Sequence, residues 1–161
     1  MSRDAQRGQV YAAEHTLWGL LDRTVESGSP VVEIEGVTLT LPPEARFGCL
    51  ESIQAYCDRV IALVGATPVR VRRRQGESKA HYERAGAVIA VPDEGSRWAM
   101  RETVLLHELA HHLSRHASQS HGPEFVAAHI DLLTRVMAPE AGLALRLLYA
   151  AEQVRESCCS V

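Results

Sequence analysis

The sequence predicts a single α+β domain, and two patterns along the chain indicate this fold class. Apolar residues recur every three or four positions in several stretches, as they do on the buried face of a helix. In other stretches apolar and polar residues alternate, as they do in strands with one buried face. The chain has 161 residues, 46% of them hydrophobic, which is enough for one core and too little for two comfortable domains. We therefore expect one domain over residues 1–161, divided into an N-terminal part (1–95), metal-binding helices (96–155) and a flexible tail (156–161).

The N-terminal part is predicted to contain two helices and several strands. Gly28 and Gly65 follow the two helical patterns and supply their stops. Val25 belongs to the predicted apolar stripe of the first helix, and Glu35 with Gly36 marks a turn or bulge. The predicted elements are a helix over residues 5–27, a bent strand or tight hairpin over 31–43, a helix over 51–64, and strands over 68–75 and 84–95.

The remainder of the chain is predicted to be helical. One helix begins at Ser96 or Arg97 and runs to about Ser114. Pro123 suits the first turn of the next helix, where its missing N–H would be unpaired in any case. Pro139 begins the last helix, whose inward-facing residues are predicted to be Leu143, Leu147, Leu148, Ala151 and Val154.

Charge and cysteine content exclude several classes of protein. The formal charge of -3 gives no global attraction to nucleic acid or to an anionic membrane. The N-terminus lacks the apolar core of a secretory signal, and no stretch approaches the roughly 20 apolar residues of a membrane span, so the cytosol is the expected compartment. The four cysteines fit neither a disulfide framework nor a cysteine-based zinc ribbon. We expect two buried thiols, Cys49 and Cys57, and two thiols on the tail, Cys158 and Cys159.

Five of the eight histidines fall in the stretch HELAHHLSRHASQSH, residues 107–121. His107 and His111 are four residues apart, so on a helix their rings share one face and can hold one metal ion. Glu108 lies about 100° further round the helix, where its carboxylate can act as general base. Zinc favours imidazole ligands and lowers the pKa of its bound water to about 7. The leucines around these residues argue for a buried helix and against solvated surface histidines, so the sequence predicts a Zn²⁺ site.

The third protein ligand is open among several residues. His112 points about 100° away from its neighbour, and His116 lies close to the end of the same helix. His121 precedes a Gly-Pro pair, and the nine residues before it give the chain enough reach to return to the metal. Glu124 is the alternative ligand, or an acceptor for a histidine N–H. His129 falls in an apolar stripe and is predicted to be a hydrogen-bonded core residue.

The motifs HELAHH and HGPEF resemble the active-site signature of the SprT/Spartan-like zincin metallopeptidases. The stretches HELAHHLS, HGPEFVAAHIDLL and VMAPEAGLALRLLYA also resemble a small actinobacterial family of metallohydrolases, and the match covers about 50 C-terminal residues. The resemblance implies a zincin-like α+β fold, in which a small mixed or antiparallel sheet packs against the HExxH helix. It also implies zinc ligation by His107, His111 and His121, catalysis by Glu108, and a strand near residues 87–91 that aligns an extended substrate. The loop before the third histidine is shorter than in Spartan-type proteases and their accessory modules are missing, which argues against DNA-linked proteolysis.

Two further sets of residues are candidates for contacts with a ligand. The arginines of residues 70–74 could touch phosphates, but they equally suit an edge strand whose charges prevent edge pairing. Candidates for stabilising an oxyanion are His81, Tyr82, Arg115, His116 and Tyr149.

The expected function is that of a zinc-dependent metallohydrolase, first of all a peptidase that cleaves amide bonds of a protein or peptide substrate. The alternative is a non-catalytic module, stabilised by zinc, that binds a protein or nucleic acid. Glu108 favours the enzyme, because a structural zinc site has no need of that carboxylate and usually fills its fourth position with a protein ligand.

Overall fold

The computed structural model describes residues 4–76, 78–92 and 100–157, and it confirms the α+β fold class. Five α-helices and five strands occur in these residues. None of the helices found there combines the length and apolar character that crossing a membrane requires. In chain order the elements are α1 (Arg7–Ser27), β1 (Val31–Ile34), β2 (Val37–Thr40), α2 (Leu50–Val64), β3 (Arg70–Arg74), β4 (His81–Glu83), β5 (Val88–Pro92), α3 (Glu102–Leu113), α4 (Pro123–Leu132) and α5 (Pro139–Ala151).

The chain divides into two compact units, and the first combines the described residues up to Pro43 with those from His116 onward. In this terminal unit α1 packs against α5, and α5 also contacts both strands of the hairpin β1–β2. Glu35 (φ 48°) and Gly36 (φ 77°) both have positive φ, as a two-residue type I′ turn requires. The tight hairpin is therefore the correct one of the two predicted alternatives for this segment.

The second or central unit runs from Glu44 to Arg115 and contains α2, a three-stranded sheet and α3. The strand order is β3-β5-β4, with β3 parallel and β4 antiparallel to β5. All five residues of β5 are buried, as expected for a central strand covered on both faces. Helix α2 packs beside β3, and α3 contacts β4. The predicted small mixed sheet beside the histidine-bearing helix is thus present.

Strand β5 differs from the prediction in both length and position. The pattern over residues 84–95 predicts one strand, but Arg84–Gly86 forms a 3-10 turn and the strand begins at Val88, while residues 93–95 lie outside the described part. The short strand β4 was not predicted, because three residues are too few for an alternating pattern to be recognised. Its antiparallel pairing covers one side of β5 and β3 covers the other. The expectation that the strand near residues 87–91 aligns a substrate is therefore wrong for Val88 to Ala90, whose backbone is paired on both sides.

Helix α3 begins later than the sequence pattern indicates. Met100 lies in a turn, and Arg101 forms an isolated antiparallel bridge with Arg46, so the helix begins at Glu102. The predicted starting points, residues 96 and 97, lie outside the described residues. A helical start upstream of Glu102 was predicted because the sequence pattern does not show that Arg101 is held in an extended conformation by its bridge to Arg46.

Two predicted apolar stripes are partly wrong. Val25 of α1 is 78% exposed, and Leu143 of α5 is 40% exposed. The buried residues of α5 include three small ones near its N-terminus, and α5 packs closely against the π-helical segment Leu133–Met137. Leu148 and Val154 are buried as predicted, whereas Ala151 is exposed like Leu143, so the spacing of the apolar residues identified the buried face only in part. The buried residues of α5 are Ala141, Gly142, Ala144, Leu145, Leu148 and Tyr149.

The arginine-rich segment agrees with its simpler interpretation, whereas the expectation of two buried thiols holds for Cys57 and is wrong for Cys49. Strand β3 is an edge strand, and Arg72 on it forms an exposed ion pair with Glu83 of β4. Cys57 is fully buried, whereas Cys49 is half-buried. The predicted tail thiols, residues 158 and 159, lie outside the described residues.

Candidate functional site

The start of α3 is fixed by a buried ionic network. Arg101 and Glu44 are almost completely buried, and the guanidinium donates to the carboxylate through Nη2 (2.7 Å) and Nε (3.2 Å). The Thr103 backbone N–H also donates to Glu44 (3.2 Å). One residue on, the Glu102 carboxylate accepts a hydrogen bond from the Tyr56 hydroxyl (2.7 Å), and burial followed by this negative charge raises the pKa of Tyr56 well above its usual value. The start of the helix that carries HELAHH is thus fixed by the contacts of two charged side chains, Arg101 with Glu44 and Glu102 with Tyr56.

His107 and His111 project from the same face of α3, as their spacing predicts. Their Nε2 atoms are 3.1 Å apart and their rings meet edge to face. Two imidazole nitrogens on a tetrahedral zinc at about 2.0–2.1 Å would be about 3.3 Å apart. The pair therefore has the donor atoms and very nearly the spacing of two zinc ligands, and small side-chain rotations would complete the fit.

Glu108 lies between the two histidines in sequence and is 6% exposed. His107 is similarly buried, and four apolar residues near them in α3 are fully buried, whereas Leu113 is half-buried. Placing a carboxylate and an imidazole in such surroundings is costly unless a metal or hydrogen bonds compensate. This burial confirms the prediction of a buried helix over that of solvated surface histidines. The fully buried neighbours are Leu105, Leu106, Leu109 and Ala110.

His112 faces the sheet of the central unit. Its Nε2 lies 2.8 Å from the Thr67 carbonyl oxygen, which can only accept, so Nε2 carries the proton. Its Nδ1 then accepts from the Tyr82 hydroxyl at 2.9 Å. Burial lowers the pKa of His112 and so favours the neutral ring, the Arg115 charge acts in the same direction, and the two hydrogen bonds select the tautomer. His112 is a structural residue that joins α3 to β4.

Four of the residues predicted to stabilise an oxyanion lie on β4 or near the end of α3, and they differ in exposure and in hydrogen bonding. The Tyr82 hydroxyl proton is used in the bond to His112, and Arg115 Nη1 donates to the His112 carbonyl at 3.0 Å. His81 is exposed on β4, and His116 is exposed in the loop after α3. Tyr82 is therefore unsuited to the predicted role, because its donor already has an acceptor within the fold.

His121 lies in the terminal unit, immediately before Gly122 and the start of α4. It is 4% exposed. Its Nδ1 is 2.6 Å from Asp4 Oδ2, and its carbonyl oxygen accepts from Gln6 Nε2 at 3.0 Å. The Phe125 ring meets the imidazole edge to face, with centroids 4.9 Å apart. His121 is thus held from several sides, whereas Glu124, the alternative ligand, is exposed on α4.

His129 is a core residue, as its position in the apolar stripe of α4 predicts. Its Nδ1 is 2.8 Å from the Tyr149 hydroxyl, and its Nε2 is 3.8 Å from Glu14 Oε1. All three side chains are almost completely buried. Burial, followed by the Glu14 charge, raises the pKa of Tyr149 well above its usual value. Tyr149 was predicted as an oxyanion donor, but its hydroxyl belongs to this polar cluster in the core of the terminal unit.

Sequence reasoning missed the two carboxylates that contact the histidine rings of the terminal unit, Asp4 and Glu14. Glu14 could have been identified from the sequence, because it occupies a position on the apolar face of α1 close to Ala13 and Leu17, where a carboxylate needs a buried partner. Asp4 carried none, since it precedes its partner His121 by 117 residues. Comparison of the chain with protein-family models, with curated proteins and with solved structures gives no match.

Proposed function

We propose that the chain is a zinc-dependent hydrolase of the cytosol that cleaves peptide bonds. The observation that carries the proposal is that the Nε2 atoms of His107 and His111 lie 3.1 Å apart on one face of α3. Glu108, which follows His107 in the sequence, is buried. Two histidines one helical turn apart with an adjacent carboxylate are the residue types and spacing of a catalytic zinc site on a helix.

His121 is the third ligand in this proposal. Its distance in sequence from His111 gives the chain enough length to return to the metal. Its imidazole is buried and contacts the Asp4 carboxylate, and a carboxylate is one of the acceptors that orient zinc-binding histidines. The exposure of Glu124 argues for His121 over this alternative, because an exposed carboxylate is fully hydrated before binding.

Glu108 has the role of general base. Its carboxylate takes a proton from the attacking water and then passes it to the leaving amine, which is the proton traffic that amide hydrolysis requires. Zinc, when bound, supplies a Lewis acid that polarises the substrate carbonyl and lowers the pKa of water.

An extended peptide is the substrate class that the sheet suits. Strand β4 is the outer strand beside α3, and among the described residues its ladder partner is β5 alone. A peptide can add to such an edge through main-chain hydrogen bonds. This edge takes the substrate-aligning role that the family resemblance assigns to the strand near residues 87–91.

The test is a comparison of Glu108→Gln with wild type on a fluorogenic peptide library. Glu51→Gln is the matched control, because Glu51 is an exposed glutamate of the central unit. We expect Glu108→Gln to retain zinc and to lose about 10²- to 10⁴-fold in kcat, while Glu51→Gln keeps wild-type activity. Full activity of Glu108→Gln would refute the general base. A wild type that binds zinc yet cleaves no peptide would instead favour the non-catalytic binding module.

A further inference from the structure

His121, the third zinc ligand of the proposal, contacts a segment near the N-terminus of the chain. The Asp4 carboxylate contacts the His121 ring through Oδ2 and Nδ1 at 2.6 Å. The His121 side chain is 6% exposed and that of Asp4 is 28% exposed, so the contact is only partly open to water. A hydrogen bond to a charged acceptor at this distance is among the stronger ones in proteins.

Gln6 holds the same segment in place. Its Nε2 donates to the His121 carbonyl at 3.0 Å and to the Arg155 carbonyl at 3.2 Å, while its Oε1 accepts from the Arg155 backbone N–H at 2.6 Å. Gln6 is 6% exposed, although most glutamines lie at the surface. The segment from Asp4 to Gln6 therefore contacts both the ring and the backbone of His121, and it is tied to the residues that follow α5.

We infer that Asp4 is a positioning residue for zinc binding, an inference that rests on the proposed function. A carboxylate can only accept, so the His121 proton resides on Nδ1 and Nε2 is the ligand nitrogen. The carboxylate fixes both the tautomer and the ring orientation before the metal arrives. Without it, a metal must first select the correct tautomer and rotamer, and affinity falls accordingly.

The main experiment is a competition titration of the full chain with zinc against a chromogenic chelator. Wild type is compared with Asp4→Asn and with Asp131→Asn, whose aspartate is an exposed acid of α4 paired with Arg135. We expect Asp4→Asn to bind zinc about 10- to 100-fold more weakly, because an amide has no charge and can donate to Nδ1, which favours the wrong tautomer. Asp131→Asn should bind as wild type does, and Asp4→Glu should recover part of the lost affinity.

A second measurement reports the orientation without any variant. Long-range ¹H–¹⁵N NMR of the zinc-loaded wild type should show His121 protonated at Nδ1 and bound through Nε2. Ligation through Nδ1 would overturn the inference even if Asp4→Asn failed to fold.

The outcomes separate this inference from the proposed function. Equal zinc affinity of wild type and Asp4→Asn overturns the positioning role and leaves the zinc hydrolase intact. A wild type with no measurable zinc affinity overturns both. Equal weakening by Asp4→Asn and Asp131→Asn would show a general charge effect, which also overturns the positioning role.

Discussion

Replacing Arg101 by Met tests the network that fixes the start of α3. Arg101 and Glu44 have 2% and 4% side-chain exposure, and two of their atom pairs are within 3.2 Å. Removing one partner of a buried ion pair typically costs about 3–5 kcal/mol, because the remaining charge stays desolvated. Glu44 would keep Arg46 Nη2 at 3.3 Å and its bond to the Thr103 N–H, so we expect the lower end, about 3 kcal/mol.

Urea denaturation followed by circular dichroism measures this loss, and the matched control is Arg72→Met. Arg72 also pairs with a glutamate, Glu83, but their side chains are 49% and 36% exposed. An ion pair in water contributes about 0–1 kcal/mol, so the control should lose little. The double variant of Arg101→Met with Glu44→Leu should recover part of the stability, because it leaves no unpaired buried charge. If Arg101→Met costs no more than Arg72→Met, the network does not hold the helix.

Two further predictions concern packing and pH. Gly142→Ala should lower the free energy of unfolding by about 1–3 kcal/mol, because the added Cβ would overlap the Thr134 side chain. Gly19→Ala in α1 is the control, since there is open space for its Cβ, and it should raise the free energy of unfolding by about 0.4–1 kcal/mol in the same urea assay. Burial raises the pKa of Cys57 to about 12 from 9.0, so its contribution to stability is complete below about pH 9 and falls by roughly 1.4 kcal/mol per unit as the pH rises toward 12. Unfolding free energies at about pH 8 and about pH 10 should diverge more for wild type than for Cys57→Ala, and equal changes in both proteins would contradict the shift.

The strongly periodic helices and the hairpin were predictable because their signals are local. Gly28 and Gly65 end α1 and α2 in the left-handed conformation that a side chain disfavours, so the sequence marks both ends. The pair Glu35 and Gly36 likewise marks the hairpin turn. The start of α3 was not predictable in this way, because it depends on the contacts of Arg101 with residues far away in sequence.

In the candidate site, too, the local features were predictable from the sequence and the long-range contacts were not. The four-residue spacing of His107 and His111 follows from helix geometry alone, and the side chains meet as that geometry requires. The bond of His112 to Tyr82 and that of His121 to Asp4 join residues 30 and 117 positions apart. Such pairs depend on the packing of whole elements, and neither composition nor periodicity contains that information.

Metal content tests the central claim most directly. Protein purified without a metal-affinity tag should contain one zinc ion per chain by mass spectrometry, and His121→Ala should lose it while Glu124→Ala retains it. If Glu124→Ala alone lost the zinc, the third ligand would be Glu124 and not His121, and the protein would still have a zinc site. A wild type without stoichiometric metal would contradict the account, because the histidines of α3 would then serve the fold alone and the hydrolase would have no metal.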